Sequence, residues 1–322
     1  MDDLTIIGAG LATQNLINHL GEKKVKTNIT LIDKRNYYIP GKNLILNPSD
    51  YSQRIDLEAW AKESSLDFLQ AKVEKINVRR KKIYLKNADA VEYKNLIIAS
   101  GLIANNLTLK GQHREGFFYL SEIDPFLLND LLKISNEAVV SVSTILGIIL
   151  SLSLRALGKE VRVIASNFDF LGEAKDRVLD LFKAKEINLH LGSSIEEIVG
   201  ETRIKATKIM PLKVFSSQLV FVDSGFKQNI DFFDEELKIN DTFFTNFSDL
   251  YLLGEVNNQD VSRDRFFINN YEEVKRQGEV FSKYIISGLK PDFKRIIPEN
   301  TDILSYLDEI LKEENIWQSG LA

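Results

Sequence analysis

Leu4-Thr5-Ile6-Ile7-Gly8-Ala9-Gly10-Leu11-Ala12-Thr13 is the stretch that decides the fold. Its first four residues form a short run of the kind found in parallel strands buried on both faces. A glycine-rich turn follows, and then a helix with Leu11, Leu16, Ile17 and Leu20 on its apolar face, expected to stop at Gly21. Asn28-Ile29-Thr30-Leu31-Ile32 reads as a second strand, and it ends in Asp33. Strand, Gly-x-Gly turn, helix, strand and carboxylate together make the fingerprint of a dinucleotide-binding βαβ unit. Gly8 allows the tight turn, and Gly10 lets the backbone approach a pyrophosphate. The N-terminus of the helix offers free N–H groups and a partial positive charge to that anion. Asp33 stands where a carboxylate accepts from ribose hydroxyls. Thr13 departs from the usual third Gly or Ala, and its branched side chain is expected to push helix and strand slightly apart. The alternative is an ordinary βαβ crossover with a glycine turn.

Four later segments follow, the last three of them a strand run into a glycine. They are Val73-Glu74-Lys75-Ile76-Asn77, Tyr93-Lys94-Asn95-Leu96-Ile97-Ile98-Ala99-Ser100-Gly101, Phe221-Val222-Asp223-Ser224-Gly225-Phe226 and Leu250-Tyr251-Leu252-Leu253-Gly254-Glu255-Val256. In this order the chain resembles the FAD/NAD(P)-dependent pyridine nucleotide-disulfide oxidoreductase superfamily, and within it the rubredoxin, ferredoxin and nitrite reductase flavoproteins. The resemblance covers roughly residues 1 to 290. It implies FAD as cofactor, with the adenine near Val73 and the chain returning to the flavin domain at Ser100 and Gly101. It also implies that Gly254 and Glu255 hold the ribityl chain and pyrophosphate. Glu255 replaces the family's Asp and is one methylene longer. Asn270 to Gly288, with Gln277-Gly278, resembles the helix that closes the flavin domain.

Tyr37-Tyr38-Ile39-Pro40-Gly41-Lys42 resembles the family's aromatic-Pro-basic loop beside the isoalloxazine. Lys42 there is the candidate catalytic residue, able to steady negative charge on the reduced ring. A solvated loop lysine is the alternative. The cofactor-binding candidates are Gly8, Gly10, Leu11, Ala12, Asp33, Lys34, Pro40, Lys42, Val73, Ser100, Gly101, Gly254 and Glu255.

The family's second glycine turn, for NAD(P)H, falls on Val139 to Gly147. Aligned on Gly147, its first two glycines are Val142 and Thr144, both β-branched and averse to positive φ. The family's Glu after the last glycine falls on Ile149. Ser166 and Asn167 take the ribose-reading place. Ordinary NAD(P)H binding is therefore not expected, and Arg162 and Lys159 are expected at the solvated surface, the alternative being that one of them holds a phosphate by another route.

There is no cysteine among the 322 residues, so no redox disulfide, thiolate nucleophile or Cys-ligated cluster can form. With three His, a metal site is not expected either, and redox chemistry falls to a bound organic cofactor. The net charge of −5 is spread without a basic block, which argues against nucleic acid. Ala138 to Leu154 is uncharged but short and broken by serines. It is expected to be a buried strand and helix rather than a transmembrane segment. Met1-Asp2-Asp3 has no basic region of a signal peptide, and a cytoplasmic location is expected.

The expected fold class is thus α/β with two Rossmann-like dinucleotide-binding domains. A discontinuous FAD-binding domain takes residues 1–112 and 240–290, an inserted degenerate NAD(P)-type domain takes 113–239, and 291–322 form a short C-terminal tail. In that tail Ile303, Leu304, Leu307, Ile310 and Leu311 suit one helix face, for docking on the chain itself or on a partner. The expected function is a flavoprotein oxidoreductase passing electrons between FAD and a protein redox partner. The alternatives are an NAD(P)H-dependent reductase of a small redox protein and a non-catalytic flavin-bearing subunit.

Overall fold

The computed structural model describes residues 3–39, 54–105, 107–239, 242–257 and 270–293. The chain divides into two compact units. One holds residues 1–40, 53–102 and 228–299, and the other 41–52, 103–227 and 300–322. The divisions at 102/103 and 227/228 precede the 112/113 and 239/240 of the sequence reading. Two short connecting strands, Leu102–Ala104 and Phe226–Gln228, pair with each other there.

The first unit is built on a five-stranded sheet in the order Leu250–Leu252, Asn95–Ile98, Asp3–Ile7, Asn28–Asp33, Asp67–Gln70. Every pairing is parallel. Alternate residues face opposite layers. Leu4, Ile6, Leu31 and Ile97 pack with the helix Leu11–Glu22 and with Phe281 and Ile285 of the helix Asn270–Ser287. Ile7, Ile32, Leu96 and Ile98 pack with Ile76, Ile83 and Leu85 of a three-stranded antiparallel sheet. Both faces are covered, so the strands need the continuous apolar runs the sequence shows.

The helix does not stop at Gly21 as expected. It runs to Glu22, and Lys24, at φ 52°, makes the left-handed turn. The Lys24 amide donates to the Gly21 carbonyl and the Val25 amide to Leu20, which satisfies the last carbonyls.

The second unit repeats the plan. Its parallel sheet runs Phe117–Tyr119, Leu219–Val222, Glu137–Ser141, Glu160–Ala165, Asn188–Leu191. An antiparallel sheet of Ser194–Gly200, Ile204–Met210 and Lys213–Ser216 stands in the chain where the first unit has Val73–Asn77, Lys82–Leu85 and Val91–Glu92. The uncharged stretch is a strand and a buried helix, Ile145–Ala156. Its buried serines donate back along the helix, Ser151 to Gly147 and Ser153 to Ile149, so no hydroxyl is stranded in the core. Among the described residues no helix is long and apolar enough to cross a membrane.

Candidate cofactor site

The first turn is held open by its backbone. The Gly8 amide donates to the Ile32 carbonyl at 2.9 Å, fixing the turn against the second strand. Gly8 sits at φ 103°, and a Cβ there would lie 2.2 Å from the Ala99 carbonyl oxygen. No other residue fits. Gly10 is different. Its φ of −70° is ordinary, and a Cβ added there meets nothing within 4 Å among the described residues. It is the N-cap of the helix, and no side chain caps it. The amides of Leu11 and Ala12 follow at an N-terminus that carries partial positive charge.

Asp33 stands beside this turn. One carboxylate oxygen accepts from the Ala9 amide at 2.8 Å and the other from the Arg35 amide at 2.9 Å. Each oxygen keeps a second acceptor position. Lys34 follows it at the tip of the strand. Thr13, which breaks the glycine pattern, is fully buried, and its hydroxyl donates to the Gly8 carbonyl at 2.6 Å. The bond ties the branched side chain to the turn it follows.

Gly254 and Glu255 open a short 3-10 helix after the strand Leu250–Leu252. A Cβ on Gly254, at φ 82°, would come 3.1 Å from the Ala12 Cβ, so this loop lies against the first turn of the first helix. The Gly254 amide donates to Gln277 Oε1 at 2.8 Å. Gln277 is fully buried, and its Nε2 has no hydrogen-bond partner among the described residues. Gly278 brings the two helices together: a Cβ there would be 2.7 Å from the Ala12 carbonyl oxygen.

Ser100 and Gly101 are anchored within the same unit. The Ser100 hydroxyl donates to the Asn229 carbonyl, and the Asn229 amide donates to Gly101. Val73 begins the first strand of the antiparallel sheet, beside a register shift. Pro40 and Lys42 lie outside the described residues, as does the apolar set from Ile303 to Leu311. Gln277 as a partner of Gly254, and Asn229, were not among the sequence candidates. Asn229 lies 129 residues from Ser100, and only a tertiary bond joins them.

The second turn is closed. Val142 takes the place of Gly8: its amide donates to Ile164 at 2.8 Å, as Gly8 does to Ile32. Thr144 takes the place of Gly10 as N-cap of the helix, and its hydroxyl accepts from the Leu146 amide. Asp223 Oδ2 accepts from the Ser143 amide (3.1 Å), the Thr144 amide (2.6 Å) and the Thr144 hydroxyl (2.8 Å). Ile149 is buried in the core. In register, the residue matching Asp33 is Ala165 rather than Ser166 or Asn167. Arg162 and Lys159 are engaged rather than simply solvated. Arg162 pairs with Glu137 and Glu160, and Lys159 donates to the Leu132 and Ser135 carbonyls. Burial pushes the Lys159 ammonium below its ordinary range.

The model of the pyridine nucleotide-disulphide oxidoreductase family matches residues 2–276. The chain belongs to this family. Relatives within it include an NADH-rubredoxin oxidoreductase from Clostridium acetobutylicum, 27% identical over 247 residues. That match takes 71% of the chain and 61% of the relative's length, so the chain spans less than two thirds of that protein. A ferredoxin reductase from Rhodopseudomonas palustris shares the fold with a TM-score of 0.73 at 18% identity, over 92% of this chain and 78% of that one. The covalent putidaredoxin reductase–putidaredoxin complex gives 0.71 at 16%, over 92% and 79%. Unlike what the family's name describes, this member has no cysteine for a disulphide.

Proposed function

We propose that the chain is an FAD-binding oxidoreductase that exchanges electrons between its flavin and a protein partner, without drawing them from NAD(P)H. The observation that carries this reading is the contrast between two turns of one chain. The first presents uncapped amides to open space, and the second has side chains on the same places.

The residues of the first unit fit the group. Gly8 and Gly10 leave the backbone bare for a pyrophosphate, with the Leu11 and Ala12 amides behind it. Asp33 would accept from the adenosine ribose, with Lys34 beside it, and Val73 would line the adenine. Gly254 and Glu255 would hold the ribityl side, and Gln277 Nε2, without a partner among the described residues, would supply a donor to that loop or to a water in it. Ser100 and Gly101, pinned by Asn229, fix the chain's return into this unit. Pro40 and Lys42 would stand by the ring, with Lys42 as the cation that sets its potential. Bound FAD supplies reversible electron transfer; the chain binds and orients it.

A protein partner accords with relatives named for rubredoxin and putidaredoxin. The lack of cysteine accords with a cytoplasmic location. A second reading, an NAD(P)H-dependent reductase of a small redox protein, is favoured by the name of the Clostridium relative. Anaerobic mixing of the purified yellow protein with NADH and with NADPH separates the two. The proposed reading expects the flavin absorbance to persist, and rapid bleaching by either nucleotide establishes the second.

A further inference from the structure

The two units can be matched atom by atom through their turns. The Ala99 amide donates to the Ile7 carbonyl at 2.8 Å, and the Asp223 amide donates to Ser141 at 3.0 Å. Asp223 therefore stands where the first unit carries Ala99, at the tip of the strand that flanks the turn. Its side chain is 1% exposed and points at the amides an anion would use. Three donors converge on Oδ2, and the Gly225 amide approaches Oδ1 at 3.4 Å. A Cβ on Gly147 would lie 2.8 Å from Oδ2 and 3.0 Å from Val142 Cγ2, so the glycine that survives in this turn makes room for the aspartate.

We infer that the Asp223 carboxylate is a built-in anion that occupies the pyrophosphate place of the second turn, and that it is the residue that excludes nicotinamide nucleotides from this unit. The inference rests on the proposed reading of a unit that does not bind NAD(P)H, and it names the cause. Backbone amides at a helix N-terminus attract negative charge. Here that attraction is already satisfied from within the chain. An incoming pyrophosphate would have to displace a buried carboxylate and leave its charge unpaired, which is far costlier than losing one hydrogen bond. It would also meet like charge. Thr144 belongs to the same arrangement, since it donates twice to the carboxylate.

Hydrogen exchange at the Ser143 and Thr144 amides of the FAD-loaded protein tests this. Slow exchange, unchanged by saturating NADH, NADPH or inorganic pyrophosphate, is expected. Exchange at the rate of free amides, or protection that rises with NADH, overturns the inference. Asp223→Ala gives this unit the residue its counterpart has. If the variant melts cooperatively, its Ser143 and Thr144 amides should exchange freely. Pyrophosphate should then restore their protection, binding about tenfold or more tightly than to the wild type. A folded Asp223→Ala chain that ignores pyrophosphate also overturns the inference. If that variant does not fold, the wild-type exchange decides. A colourless protein with slow Ser143 and Thr144 exchange would contradict the flavin reading alone. Nucleotide-dependent protection in a yellow protein would contradict this inference and the exclusion of NAD(P)H together and leave FAD binding standing, whereas a yellow protein whose folded Asp223→Ala variant ignores pyrophosphate would contradict this inference alone.

Discussion

Gly8 and Gly10 are both glycines of one motif, yet they do different work, and substitution separates them. Gly10→Thr places in the first turn the residue that caps the second. Thr and Gly are nearly equal as N-caps, and a Cβ at this position meets nothing within 4 Å among the described residues. Urea melts of the flavin-free chain should therefore agree within about 0.5 kcal/mol. FAD affinity, followed by fluorescence titration, should fall about tenfold or more, because the side chain takes the cofactor's space. Gly8→Ala should instead lose about 2 kcal/mol or more of stability with or without FAD, because its Cβ runs into the Ala99 carbonyl and its φ is positive. Asp223 adds a dependence on pH. Burial pushes its carboxyl above 3.8, against the hydrogen bonds from Thr144, Ser143 and Gly225. The folded chain thus holds this proton more tightly than the unfolded one. The group's contribution is complete below the unfolded value and is lost as pH rises through the raised one. Asp223→Asn removes that term, so the stability gap between variant and wild type should change across this range. A gap constant with pH would contradict the shift.

At the scale of elements, the opening strand, turn and helix were legible because each rests on local sequence: an apolar run, glycines and a spaced carboxylate. The end of the helix was not, because Gly21 is a plausible stop and the left-handed residue is Lys24, whose type gives no sign of it. That Val142 and Thr144 stand where the first turn has Gly8 and Gly10 was legible in the sequence. The Asp223 that fills the turn was not, since it lies 79 residues from Thr144 and meets it only through the sheet. The Gln277–Gly254 bond was hidden for the same reason. Arg162 and Lys159 read as surface cations because Glu137, Leu132 and Ser135, which engage them, come from other elements. The packing of the helix Asn270–Ser287 on the helix Leu11–Glu22 yields a prediction with a reversed sign. In a free helix Gly278→Ala stabilises by about 0.5–1 kcal/mol. Here the Cβ would come within 2.9 Å of Ala12 and Leu16 backbone atoms. Forcing the helices apart costs about 1–3 kcal/mol, so the variant should melt below the wild type.

Across the whole molecule, one architectural plan appears twice with opposite glycine patterns. The first unit keeps the first two glycines of the turn, Gly8 and Gly10, and has Thr13 at the packing position. The second keeps the packing glycine, Gly147, and has Val142 and Thr144 at the other two positions, with Asp223 against the turn. A parallel sheet covered on both faces draws its stability from its own packing, so on the proposed reading the second unit stays folded without a nucleotide. The most direct measurement is an isothermal titration of the flavin-free chain, with FAD first and NADH second. One FAD per chain, followed by no heat of binding from NADH, is the predicted result. A chain that takes up no FAD, or one that then binds NADH one to one, would contradict it.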